Sequence, residues 1–315
     1  MTFHPDSLPD LSGKTYIVTG GSSGIGYTTV ARLAQHKAHV YMCARSPSNA
    51  TAAIQRIQSL YPNARITFLE MDHLSLASVV SAAERFLSTE PALHGLVNNA
   101  GIMATPFEMT PDGHEAQWQT NYLAHWVFTD RLLPLLRRSA RALLPGSVRV
   151  VNLSSSGHYG APTGGVNFED PALRDASGMT RYGQSKLANI LHAKTLHRQY
   201  GPGSDSASAG EGEVWLAIVH PGLVESRLGE RAEFPVLLRK LFEIYGALGG
   251  RVNADTGSWT SLFCVASPAM KREQSGTYFQ RIAEAGWQSG MAKDTVLAER
   301  LENWTREVMA KEGWV

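Results

Sequence analysis

Thr15-Tyr16-Ile17-Val18-Thr19-Gly20-Gly21-Ser22-Ser23-Gly24-Ile25-Gly26 is the stretch on which the reading of this chain turns. Its first five residues are all β-branched or aromatic, and the run stops at two glycines. Apolar residues at Val30, Leu33 and Ala34 then continue at helical spacing. A strand, a glycine turn and a helix in succession gather free backbone N–H groups and the positive end of a helix dipole at one point, which suits a phosphate. Gly20, Gly24 and Gly26 let the backbone approach such a group; Ser22, Ser23 and Ile25 complete the loop. The spacing differs from the common G-x-G-x-x-G fingerprint. A strand-to-helix turn without a ligand is the alternative.

Outward from this loop, strand-like and helix-like segments alternate. Ala38 to Cys43, Arg65 to Leu69, Gly95 to Asn98, Ser147 to Leu153 and Val214 to Val219 read as strands. The stretches near 48–60, 75–88, 115–138 and 181–200 read as helices. Apolar strands separated by amphipathic helices predict an α/β fold, a Rossmann-type doubly wound parallel sheet covered on both faces. With 315 residues, 43% of them apolar, the chain is long enough for one large domain. No interdomain linker is visible. Gly201 to Gly210 reads as a mobile surface loop.

Composition narrows the partners. A net charge of +1 offers no field to steer nucleic acid or an anionic membrane. The N-terminus lacks the basic and apolar regions of a signal peptide, and no run reaches the roughly 18 apolar residues of a membrane span. The only cysteines, Cys43 and Cys264, sit in apolar runs and read as buried free thiols of a reducing compartment. A soluble, cytoplasmic protein is expected. His192 and His220 have no ligand-like companions, so no metal site is expected.

Three further strand ends carry polar residues. The second runs into Arg45, with no carboxylate. A guanidinium suits a ribose 2′-phosphate, whereas a carboxylate would repel it, so NADP(H) is favoured over NAD(H). The fourth runs into Asn98-Asn99-Ala100-Gly101, which can tie strands together and line an adenosine pocket, or form a plain turn. The fifth ends at Ser154-Ser155, where Ser155 is the chosen hydroxyl donor and Ser154 its competitor. Tyr182 and Lys186, four apart, share one helix face. An ammonium beside a phenol is expected to lower the phenol's pKa from about 10. Tyr182 then exchanges a proton with an alcohol or carbonyl oxygen, and Lys186 can also hold a nicotinamide ribose.

Taken together, Thr19 to Gly26, Asp72, Asn98 to Gly101, Asn121, Ser155, Tyr182, Lys186 and Pro221-Gly222 resemble the short-chain dehydrogenase/reductase family, in order and over nearly the whole chain. The resemblance implies a catalytic tetrad of Asn121, Ser155, Tyr182 and Lys186. Asn121 holds a water and a helix kink, Ser155 polarises the substrate oxygen, and Tyr182 is the acid/base. It also implies an adenine contact at Asp72 beside Met71 or His73, and a nicotinamide loop at Pro221, Gly222, Val224 and Ser226. His73 stands where an aliphatic residue is common. The long gap from Ser156 to Arg181 is similar to the retinol dehydrogenase and WW-domain oxidoreductase branch.

Under that resemblance, one domain spans 1–315, with a cofactor half over about 12–155 and a catalytic and substrate half over about 156–315. An apolar lid is expected at about 223–255, carrying Phe234, Leu238 and Tyr245. A packing helix is its alternative. The expected activity is NADPH-dependent reduction of a hydrophobic or aromatic carbonyl, or the reverse. A non-catalytic NADP(H) sensor or scaffold, epimerisation, and C=C reduction are the alternatives. A homodimer through the helices near 115–138 and 181–200 is a further expectation, and the tail from Asp294 to Lys311 is expected to dock on the core.

Overall fold

The computed structural model describes residues 3–224, 250–280 and 282–315. Six strands come first: β1 (Thr15–Thr19), β2 (His39–Ala44), β3 (Arg65–Glu70), β4 (Gly95–Asn98), β5 (Val148–Leu153) and β6 (Val214–His220). Among them lie α1 (Gly24–Gln35), α2 (Pro47–Leu60), α3 (Leu76–Thr89), α4 (Ala116–Trp118), α5 (Ala124–Ala142), α6 (Gly178–Tyr200) and the short α7 (Asp205–Ser208). Then follow β7 (Leu223–Val224), β8 (Arg251–Val252), α8 (Ala254–Ala266), β9 (Thr277–Gln280), β10 (Glu284–Ala285) and α9 (Thr295–Lys311). The main sheet runs β10-β9-β6-β5-β4-β1-β2-β3. All its pairings are parallel except β9 with β10. This is the doubly wound α/β architecture that the alternating pattern predicts.

Alternation along the strands divides the core in two. Ile17, Tyr41, Leu96 and Val150 face one layer with Phe86, Trp126 and Leu191. Tyr16, Val18, Val40 and Val97 face the other with Val30, Leu33 and Phe263. Each fully buried large side chain contributes roughly 1.5–3 kcal/mol of transfer free energy. The order reverses at β1: chain order runs outward to β3, then resumes on the other side at β4. Ligands of such sheets bind beyond the carboxyl ends of the strands at that reversal.

Two departures from the sequence reading stand out. The helix expected near 115–138 is interrupted: Gln119–Leu123 form a π turn between α4 and α5, with the Ala124 N–H donating to Gln119 O. The loop from Gly201 holds α7, which Ser204 caps by accepting from Ala207 N. The apolar stretch from Phe234 to Tyr245, with Ser226, lies outside the described residues. Both cysteines are free and buried. No helix among the described residues is long and apolar enough to cross a membrane.

Candidate active site

The glycine loop closes over the end of β1. Gly20 and Gly24 have φ of 64° and 52°, where a side chain is disfavoured. A Cβ at Gly26 would lie 2.2 Å from Gly20 O, so α1 starts hard against the strand end only because that atom is missing. Ser23 stands at the N-cap of α1, and its hydroxyl caps nothing in the helix. The free first N–H groups of α1 are left facing the loop. Below, Thr19 Oγ1 accepts from Asn99 N at 2.8 Å and Ala100 N at 2.9 Å, while Asn99 Nδ2 donates to Thr19 O at 2.8 Å. These bonds weld the ends of β1 and β4 into one floor. A cradle that a Cβ would fill, at an uncapped helix N-terminus, fits a dinucleotide pyrophosphate.

The neighbouring strand ends put most of the expected residues around that floor. Arg45 is exposed at the end of β2. Asp72 follows β3, with its Oδ1 accepting from Leu74 N. Gly101 touches the chemical end: a Cβ there would lie 3.0 Å from Asn121 Oδ1 and 3.4 Å from Lys186 Nζ. Pro221 and Gly222 follow β6, with Gly222 at φ 88°, and Val224 lies in β7 beside β8. Asn98 is the exception. Its side chain donates to Asn152 Oδ1 at 2.8 Å and Thr129 Oγ1 at 3.0 Å, and it is 2% exposed. It ties β4 to β5 and α5; its side chain is turned into the sheet and away from the cradle. Asn99 takes the polar role there.

Ser155, Tyr182, Lys186 and Asn121 converge. Tyr182 and Lys186 lie on one face of α6, with Nζ 5.7 Å from the phenol ring centroid. Lys186 Nζ donates to Leu153 O at the end of β5, 3.0 Å away. The hydroxyl of Ser155 lies on the Tyr182 side of the site: a Cβ at Gly157 would meet the Tyr182 ring at 2.6 Å and Ser155 Oγ at 3.4 Å. That hydroxyl accepts from Gly157 N at 3.0 Å, which leaves its own hydrogen free to donate. Ser154, the competitor, is buried and donates to Lys186 O at 2.8 Å, so it serves the backbone of α6. Asn121 lies in the π turn. Its carboxamide exchanges bonds with Ile102 N and O and donates to Ser185 Oγ at 2.9 Å.

The electrostatics differ from the expectation in one respect. Burial raises the Tyr182 phenol to about 12, with Ser155 pulling it back only partly. Burial also lowers Lys186 to about 8, because an ammonium is costly to desolvate. The lysine does not by itself depress the phenol. Tyr182 is held as the neutral acid by the protein's own groups.

The supporting contacts of two residues escaped the sequence reading of the site. A Cβ at Gly157 would lie 2.6 Å from the Tyr182 ring, so this glycine is a packing surface for the phenol. His158 is fully buried, with Nδ1 bonded to Ser155 O at 2.7 Å and Ser289 N donating to Nε2 at 3.2 Å. A carbonyl can only accept, so Nδ1 carries the proton, and the ring pins the Ser155 loop to the segment after β10. Spacing gave no signal for either, since both contacts join distant parts of the chain. Among the described residues, no three His, Cys, Asp or Glu side chains group as a metal site.

Known proteins are similar to this chain in sequence and in fold. Residues 14–166 match the family model described as short chain dehydrogenase. The chain is 48% identical over 310 residues to the short-chain dehydrogenase/reductase drtF of Aspergillus calidoustus, covering 98% of this chain and 97% of that one. It is 33% identical to retinol dehydrogenase 12 of Mus musculus, covering 95% and 87%. Among solved structures, an uncharacterized protein from Mycobacterium Paratuberculosis superposes with a TM-score of 0.74 at 27% identity, covering 98% of both chains. The glycine cradle, the sheet that carries it and relatives matched along nearly their full length lead to one assignment: the chain belongs to the short-chain dehydrogenase/reductase family, with retinol dehydrogenases among its relatives.

Proposed function

We propose that the protein is an NADPH-dependent carbonyl reductase, or in reverse an alcohol dehydrogenase, acting on a hydrophobic or aromatic substrate. The observation that carries this reading is the convergence of Ser155, Tyr182 and Lys186 beside the glycine cradle, with the phenol buried. The loop from Gly20 to Gly26 would hold the pyrophosphate, Arg45 the 2′-phosphate, Asp72 the adenine, and Lys186 the nicotinamide ribose. Ala100 and Gly101 would line the nucleotide, with Pro221, Gly222 and Val224 at the carboxamide. Bound NADPH would supply the hydride to the carbonyl carbon.

The chain's own groups handle the oxygen. Ser155 donates a hydrogen bond to it, lengthening the C=O bond. Tyr182 releases its proton to the same oxygen as charge develops there. Lys186, buried beside the ring, would act together with the positive charge of an oxidised nicotinamide to stabilise the phenolate left behind. Asn121 holds α6 at the register that this requires, through Ser185, whose hydroxyl donates to Tyr182 O at 2.8 Å.

An apolar substrate is supported by Tyr159 and Trp287, exposed at 53% and 81%, near the His158 end of the site. The relative named for retinol handles an apolar alcohol by that name. Free cysteines support a reducing compartment such as the cytoplasm. A homodimer through the faces of α5 and α6 that bear Trp126 and His192 would have to displace α9.

The test is Tyr182→Phe, assayed by NADPH oxidation with ketones of graded polarity. Turnover should fall by about 10²–10⁴-fold, with NADPH affinity nearly unchanged. Turnover at the native rate would remove Tyr182 from the role, and NADPH binding without turnover in the native protein would point to a sensor.

A further inference from the structure

His125, one turn after Asn121, has no part in the chemistry described so far. Its ring is 2% exposed and joins two halves of the site. Nδ1 lies 3.0 Å from Asn121 O, and a carbonyl oxygen only accepts, so Nδ1 carries a hydrogen. Nε2 lies 2.8 Å from Thr19 Oγ1. That hydroxyl already accepts from Asn99 N and Ala100 N, which fills both its lone pairs. Its one hydrogen has two acceptors in reach, Nε2 at 2.8 Å and Val97 O at 3.4 Å; the shorter bond takes it, and with both lone pairs filled Nε2 must be bare. One tautomer satisfies every atom in the chain of bonds. A proton on Nε2 would confront a filled oxygen and break the floor beneath the glycine loop.

We propose that His125 is a positioning residue that locks the cofactor floor to the proton-handling helix, through a neutral ring protonated on Nδ1. The tie runs from Asn99 and Ala100 through Thr19 to His125, and on to the backbone of Asn121. From there the Asn121 carboxamide reaches Ser185, whose hydroxyl meets Tyr182 O. The glycine loop and the phenol are thus registered by one continuous network of hydrogen bonds, buried from Thr19 through His125 and Asn121 to Ser185. The surroundings hold the ring neutral. Burial acts first, followed by His73 from the β3–α3 loop, while Lys186 and His192 from α6 add to the same direction. The Asn121 carbonyl opposes them by favouring a charged ring, and it is outweighed. His73 packs edge-on against His125, with ring centroids 4.9 Å apart.

The inference rests on the dehydrogenase reading for its effect on turnover, and on geometry alone for the ring's state. Both are measurable. In histidine-selective 15N NMR of the intact protein, with the His125 signal assigned by its loss in His125→Gln, the ring should show hydrogen on Nδ1 and stay neutral into mildly acidic pH. A hydrogen on Nε2, or titration at the ordinary histidine value, overturns the proposal. His125→Phe keeps the bulk and removes both bonds. It should raise the NADPH dissociation constant and lower kcat, each by about tenfold. His125→Gln, which can both donate and accept, should restore most of each. Native NADPH affinity and kcat in His125→Phe, or equal loss in both variants, overturns the proposal. If His125→Phe fails to fold, the NMR result and His125→Gln still decide. The expected NMR signature and NADPH response without ketone turnover would keep the tie and defeat the reductase reading.

Discussion

At Gly157 one missing carbon decides whether the Tyr182 ring has room. Gly157→Ala puts a Cβ 2.6 Å from that ring, below any real contact distance, so the phenol must shift. We expect kcat to fall about tenfold or more with NADPH affinity unchanged, because a small misplacement at reacting atoms costs rate. Steady-state kinetics beside a nucleotide titration check it; an unaltered kcat would mean that the ring has slack. Arg45 supports a second prediction. Arg45→Asp should weaken NADPH about 10–100-fold while sparing NADH, since a charge-assisted bond to phosphate becomes a repulsion. Parallel titrations with the two nucleotides give the answer, and equal weakening of both would deny Arg45 the phosphate. The residues readable in advance were those whose spacing is itself the signal: three glycines at a strand end, and a tyrosine and lysine one helical turn apart. The contacts of Gly157 and His158 were opaque because their value lies in atoms brought from elsewhere in the fold. The phenol's pKa lies above the expectation because burial raises it and Ser155 offsets that only in part.

Among the elements, α9 carries more than packing. Glu302 is buried, accepts from Trp126 Nε1 at 2.9 Å, and meets His192 at 3.4 Å and Arg306 at 3.0 Å. Tyr122 and Thr305 hydroxyls bond at 2.7 Å alongside. Burial pushes the Glu302 carboxyl up, but His192, Trp126 and Arg306 outweigh it and hold it at about 2. A carboxylate depressed on folding stabilises the fold above its unfolded value of about 4.3, and that stability is lost as pH falls toward the folded value. Glu302→Gln should therefore cost on the order of 2 kcal/mol at neutral pH and flatten the acid dependence between about 4.3 and about 2. Denaturant unfolding across that range tests it, and parallel curves for the two proteins would refute the linkage. The tail helix was legible from its apolar stripe. α8 was not: nine of its thirteen residues are buried, so it shows no stripe to read.

For the molecule as a whole, the parallel sheet was legible because apolar strands alternated with helices. Its far edge was not, since β9 has four residues and β10 only two. Leu297, Leu301 and Met309 of α9 close the core that Tyr122, Trp126 and Leu191 begin. A chain ending at Asp294 should expose that face and self-associate at concentrations where the intact protein is monodisperse. Light scattering reads this directly, and identical masses would show that α9 shields nothing. The π turn at Gln119–Leu123 has one more consequence. It gives the helix one residue beyond what a regular winding would use, so the segments before and after it are out of phase. Deleting a single residue there would rewind the helix and swing Asn121 by about 100° relative to His125. An insertion or deletion in the loop from Gly201 to Gly210 should be absorbed by solvent. The same change of length at the wide turn has nowhere to go, so a frame-preserving codon loss there would be felt directly at the site.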